Sequence, residues 1–355
     1  MQQNLKPNRP KIITTEIEGL VFNRRMNIAH AIEALLSKEF VLVDDFYSTG
    51  LQILEELNFY LKQKFSKKDY NSQREARSVF RELSHKLLLM VSDNRLEVRK
   101  SPKIGWLKIL YPEISEFFIS FPDVQGLNSS WQWFQNGIKL DILPFRLKPY
   151  FGTYFPTRFD HLELFENWLK TYNGTKKNAI DIGVGSGVLS FQMLQNGFQN
   201  IYGTDSNPNS IIGLTQEVER LKFGNKFNLS CGDLFASLDF ATELIVFNPP
   251  WLIANHELEE GIDKAIYYEP DLFPRFFEQA KNHLAKDGKI VMIFSNFAKV
   301  VGQEVKNPIN VELGNFNRFR RVEFFQKKPK PSSKKTRRKD WRQNEKVELW
   351  VLSHK

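Results

Sequence analysis

The sequence predicts an α/β protein in which a helical amino-terminal domain precedes a doubly wound parallel sheet. Three observations predict it. Apolar residues recur at spacings of three and four through the first 130 positions, short apolar runs alternate with helical patterns from about residue 160, and several of those runs stop at glycine or aspartate. In an open parallel sheet such strand ends are where ligands bind.

The elements follow in order. Over residues 1–130, "AIEALLSKEF", "LQILEELNFYLKQKF" and "REARSVFRELSHKLLLMVS" put Leu51, Leu54, Leu57 and Leu61, and then Val79, Leu83 and Leu87, at helical spacing. These read as core positions of a helical accessory domain with no catalytic constellation. Residues 131–160 change character, and the aromatics, prolines and glycines of "GIKLDILPFRLKPYFGTYFPT" predict a short strand pair joining two domains. Residues 161–355 form the second domain. Its strands are "NAIDIG", "NIYGTDS", "KFNLSCGD", "ELIVFN" and "GKIVMIFS", separated by helical stretches such as "NSIIGLTQEVERLKF" and "LFPRFFEQAKNHLAKDG". Two more strands, "RRVEFFQ" and "VELWVLS", are joined without a helical pattern, which predicts antiparallel neighbours.

Composition narrows the class. The chain has 355 residues, 41% of them hydrophobic and 14% aromatic, enough for two packed cores. No apolar run approaches the roughly 20 residues that cross a bilayer, and "MQQNLKPNRPKIITT" lacks the apolar centre of a signal peptide, so a cytoplasmic protein with no membrane partner is expected. One cysteine, Cys231, excludes an intrachain disulfide, and the six histidines show no metal-ligand spacing, so no metal is expected. The formal charge of +9 is concentrated in a loop at 326–346, "QKKPKPSSKKTRRKDWRQNEK", which carries ten Lys or Arg against two acids.

The strand ends carry the chemistry. The first ends in "DIGVGSG", where Gly183, Gly185 and Gly187 let the backbone turn tightly and approach a ligand. The second ends at Asp205, placed to accept hydroxyl protons from a ribose. The third ends in "CGDLF", with Asp233 able to accept from the exocyclic amine of an adenine. On these residues the chain, over roughly 150–355, resembles the class I S-adenosylmethionine-dependent methyltransferases, which implies a Rossmann-like seven-stranded sheet. The resemblance implies that Asp181, Gly183, Gly185 and Gly187 approach the methionine and ribose portions of S-adenosyl-L-methionine, that Asp205 holds the ribose, that Asp233 and Leu234 meet the adenine, and that Asn248 also borders the cofactor. "YFPTRFD" resembles the segment that closes over the methionine end in the branch carrying an (N/D)PP(Y/F/W) motif.

That motif stands at the end of the fourth strand as "NPPW", Asn248, Pro249, Pro250 and Trp251. A planar amino nitrogen is a weak nucleophile because its lone pair is delocalised. The side-chain oxygen of Asn248 and the carbonyl of Pro249 can accept its two hydrogens and orient it. The prolines stiffen the backbone that carries both acceptors, and Trp251 offers a flat wall for stacking. Members of this branch methylate either base amines of RNA or DNA, or the glutamine amide of release factors with an NPPY version of the motif. Here Trp251 replaces the tyrosine, and about 150 residues precede the closing segment. The basic loop favours RNA as partner, ribosomal RNA included, through Lys334, Lys335, Arg337, Arg338 and Lys339 with Trp341 among them. A protein glutamine is the alternative.

Overall fold

The computed structural model describes residues 5–65, 70–156, 159–254, 263–303, 306–329 and 344–355. The chain divides into two compact units, 9–135, and 1–8 together with 136–355.

The first unit departs from the helical expectation. Among its described residues are six strands, β1 (Ile12–Ile13), β2 (Gly19–Phe22), β3 (Phe40–Val43), β4 (Leu87–Ser92), β5 (Arg95–Leu96) and β6 (Glu116–Ser120), in the order β1-β6-β4-β3-β2 with β5 paired to β4. Strands β2, β3 and β4 run parallel, while β6 is antiparallel to β4. The helices are α1 (Ile28–Leu36), α2 (Tyr47–Lys64), α3 (Tyr70–Ser84), α4 (Trp106–Leu110) and α5 (Phe121–Asn136). The periodicity misleads at Leu87, which continues the spacing of Val79 and Leu83 but opens β4, because α3 stops at Ser84. Leu87, Leu88 and Leu89 are all buried, as in a central strand covered on both faces. In α2 the buried stripe is Ile53, Leu54, Leu57 and Leu61, and Leu51, two positions off that stripe, is 41% exposed.

The second unit begins with the expected strand pair, β7 (Ile138–Lys139) antiparallel to β8 (Arg146–Leu147). Its sheet contains β9 (Asn178–Ile182), β10 (Asn200–Asp205), β11 (Phe227–Cys231), β12 (Thr242–Phe247), β15 (Leu284–Ser295), β16 (Phe319–Lys327) and β17 (Val347–His354). Between β12 and β15 lies a small parallel ribbon of β13 (Leu252–Ile253) and β14 (Tyr267–Tyr268). The seven strands are ordered β11-β10-β9-β12-β15-β17-β16. β9 to β12 and β15 are parallel, and β17 is antiparallel to both β15 and β16. β16 therefore runs the same way as the first five, and Lys327 leaves the sheet at the edge where β9 and β12 end.

Alternation along each strand builds two cores. Ala179, Leu244, Val246, Val291, Ile293, Leu349 and Val351 face a layer formed by α6 (Asp160–Thr171), α7 (Val188–Gln195) and α8 (Pro208–Arg220). Ile180, Ile182, Ile245, Phe247, Ile290, Met292 and Trp350 face α9 (Leu272–His283) and α11 (Pro308–Asn315). Helices on both faces make the sheet doubly wound. A short α10 (Phe297–Val300) follows β15. Among the described residues no helix is long and apolar enough to cross a membrane.

Candidate active site

The carboxyl ends of β9, β10, β11 and β12 open into one cavity of about 570 Å³, within the size range of small-molecule sites. The loop after β9 forms its floor. Gly183 and Gly185 have φ of +65° and +52°, in the left-handed region that favours glycine. A Cβ added at Gly183 would meet only Phe247, at 3.8 Å, so the loop leaves open the space a ligand can take. Gly187 has a different task. It lies off the cavity wall, and a Cβ there would come within 2.5 Å of Leu214. The third glycine thus lets α7 pack closely on α8, a correction to its expected place beside the cofactor.

Asp181 is also corrected. It is 1% exposed, does not line the cavity, and accepts a hydrogen bond from Ser190 on α7. Burial pushes its carboxyl up to about 7, opposed by the Ser190 bond and reinforced by the charge of Asp205. Its contact is the helix that follows the loop.

Asp205 lines the cavity and organises it. One carboxylate oxygen accepts from Gly185 N–H at 2.8 Å, the other from Asn207 N–H at 2.8 Å, and Ser210 donates its hydroxyl. Burial raises its pKa and these three bonds lower it. A carboxylate offers about four acceptor positions, so about one remains for a ligand. The adjoining segment is tied down by side-chain amides. Asn207 donates to the Gly152 carbonyl at 2.9 Å, and Asn209 donates to the carbonyls of Phe151 at 2.8 Å and Asn8 at 2.7 Å. This holds Tyr154 against the floor, its carbonyl 3.4 Å from where a Cβ on Gly185 would stand.

Asp233 and Leu234 line the wall after β11. The Asp233 side chain is 58% exposed and paired with Arg275, which also holds Asp271 at 2.8 Å. An adenine amine would share this carboxylate with a guanidinium. Leu234 is buried with φ of +47°, and its carbonyl accepts from the hydroxyl of Thr204.

Asn248, Pro249, Pro250 and Trp251 all line the cavity. The Oδ1 atom of Asn248 is buried and has no hydrogen-bond partner among the described residues. An orphaned acceptor of this kind costs about 1 to 3 kcal/mol, and on the cavity wall it is free to accept from an N–H donor. Trp251 is braced by His161, whose ring meets it edge-on at 5.8 Å and 85°. His161, Tyr267, Tyr268, Glu269, Arg275 and Phe297 are lining residues that sequence reading did not single out. The quoted "YFPTRFD" stops one residue short of His161, and the others sit in patterns ordinary for a helix or strand. Thr157, Arg158, Lys334, Lys335, Arg337, Arg338, Lys339 and Trp341 lie outside the described residues.

The donor set suits S-adenosylmethionine, with an open glycine floor and carboxylates on the next two strand ends. A family model and the sequence relatives agree. Residues 162–325 match the family model described as methyltransferase small domain. The chain is 30% identical over 169 residues to a candidate protein N5-glutamine methyltransferase of Methanocaldococcus jannaschii, covering 45% of this chain and 77% of that protein. It is 28% identical over 171 residues to the ribosomal protein L11 methyltransferase of Thermosipho africanus, covering 48% of this chain and 61% of that protein. Among solved structures, the ribosomal protein L11 methylase of Lactobacillus delbrueckii subsp. bulgaricus is similar at a TM-score of 0.39 and 19% identity, over 59% of this chain and 84% of that one.

Proposed function

The chain belongs to the class I S-adenosylmethionine-dependent methyltransferases, and we propose that it methylates a planar amino nitrogen, the exocyclic base amine of an RNA. The observation that carries this reading is the buried, unpartnered Oδ1 of Asn248 beside the indole of Trp251. S-adenosylmethionine, when bound, supplies an electrophilic methyl group on a sulfonium. The floor at Gly183 and Gly185, the Asp205 carboxylate, and Asp233 with Leu234 are the groups that would hold it.

The rest is the work of the acceptor wall. Asn248 Oδ1 takes one hydrogen of the planar amine and the Pro249 carbonyl takes the other, which fixes the nitrogen and favours its lone pair turning out of conjugation. Two successive prolines keep these acceptors in place, so little reorganisation accompanies the reaction. Trp251 covers one face of the acceptor and excludes water from it. The amine proton lost after transfer passes to solvent.

Support for RNA comes from the ten cations of 326–346, the first of them Lys327 at the end of β16 and the other nine in the connection that follows it from the active-site edge of the sheet. Ribosomal RNA is one such substrate. A second reading, the side-chain amide of a protein glutamine, is favoured by the Methanocaldococcus relative and uses the same two acceptors. Transfer of labelled methyl groups into a cell extract, separated into RNA, DNA and protein, distinguishes them. Label in RNA is expected; label confined to protein would replace the RNA reading with the glutamine one.

A further inference from the structure

Beyond the motif residues, we propose that Gln303 is a positioning residue for the acceptor wall, acting as a one-residue substitute for a missing strand. The wall leaves the sheet at Asn248 and continues through Trp251 into β13, which is two residues long. On one edge β13 is paired with β14, since Leu252 N–H donates to Ile266 and Ala254 N–H donates to Tyr268 at 2.8 Å. The alternation of a strand then turns both polar groups of Ile253 to the opposite edge. No strand lies there among the described residues. Instead, the Gln303 side chain accepts from Ile253 N–H at 3.2 Å and donates to the Ile253 carbonyl at 3.1 Å.

Gln303 is itself anchored. Its own N–H caps α10 through the carbonyl of Ala298 at 2.9 Å, after a turn at Gly302 with φ of +82°. Because α10 follows β15 directly, this one amide links the wall that emerges from β12 to the end of the neighbouring strand, where Phe297 also faces the cavity. Among the described residues no hydrogen bond ties Gln303 to the glycine floor or to Asp205. Its loss should loosen Trp251 and Asn248 and leave the cofactor groups in place.

This inference rests on Asn248 and Trp251 forming the acceptor wall. The test compares wild type with Gln303→Ala and Gln303→Glu in the full chain, using total cellular RNA and total cellular protein as acceptors. The measurements are thermal melting, S-adenosylmethionine affinity and the dependence of transfer on acceptor concentration. Gln303→Ala should lower kcat/KM for the acceptor by about tenfold to a hundredfold, the scale of a small misplacement of reacting groups, with cofactor affinity unchanged. Gln303→Glu keeps the shape but sets a carboxylate against the Ile253 carbonyl. It should be equally impaired at pH 8 and recover toward pH 5, where a protonated carboxyl can donate again. Should Gln303→Ala fail to fold, the isosteric Gln303→Glu and its pH profile carry the comparison alone. Wild-type kcat/KM in the variant that folds, or equal loss of cofactor affinity and transfer, would overturn the inference. Normal transfer by Asn248→Ala would instead overturn the reading of the wall on which it rests.

Discussion

Replacing Asp205 by alanine removes a carboxylate that three groups of the fold already use. Gly185 N–H and Asn207 N–H each lose a bond of 2.8 Å, and Ser210 loses an acceptor. Bonds to a charged group contribute about 1.5 to 3 kcal/mol each, and water can replace part of that at a half-buried site. The net cost in stability should be about 2 to 4 kcal/mol. Separately, the glycine floor loses the bond that fixes Gly185, and the ligand loses an acceptor. Together these should weaken S-adenosylmethionine by about 2 kcal/mol, or roughly thirtyfold. Denaturant titration reads the first effect and isothermal calorimetry the second. Asp205→Asn should recover little, because its amide nitrogen would face an N–H donor. Wild-type cofactor affinity in Asp205→Ala would refute the reasoning outright.

Three further expectations follow from single contacts. Asp181, raised to about 7 from 3.8, binds more protons folded than unfolded between those values, so its contribution to stability is present at low pH and lost as pH rises through 7. Asp181→Asn should therefore gain stability relative to wild type by about 2 kcal/mol between pH 5 and pH 8, and a pH-independent difference would contradict this. Gly187→Ala must fit a Cβ 2.5 Å from Leu214 at a φ of +77°, and should lose about 2 to 4 kcal/mol in denaturant titration. Replacing Lys334, Lys335, Arg337, Arg338 and Lys339 by glutamine should flatten the salt dependence of RNA binding, whose logarithmic slope should be about −3 if four or five cations contact phosphates. An unchanged slope would remove the basic loop from the RNA reading.

The sheet was legible because most strands of the second unit are apolar runs closed by a polar or glycine signal, although Leu284–Gly288, read with the preceding helix, opens β15. The same cue was hidden in the first unit, where "LLLMVS" continues the helical spacing of Val79 and Leu83 and so merges β4 with the helix before it. At the site, residues that line the cavity were readable from motif position, as with Asp205, Asp233 and Asn248. Residues one layer behind were misplaced. Asp181 and Gly187 belong to the same glycine motif as Gly185, but their side chain and missing side chain serve the packing of α7. Spacing along the chain cannot separate a group that touches a ligand from one that holds the loop. His161, Arg275 and Gln303 carried no motif at all, since their roles depend on contacts across 42 to 90 residues of sequence with Trp251, Asp233 and Ile253, and only the fold brings these together.

On the proposed reading Asn248 holds the acceptor nitrogen and not the cofactor. Single-turnover methyl transfer by Asn248→Ala, at saturating S-adenosylmethionine and with cofactor affinity measured on the same preparation, tests it most directly. Loss of one preorganised acceptor should slow transfer on the order of a hundredfold while the cofactor dissociation constant stays at its wild-type value. Transfer at the wild-type rate, or a loss accounted for by weaker cofactor binding, would contradict the claim.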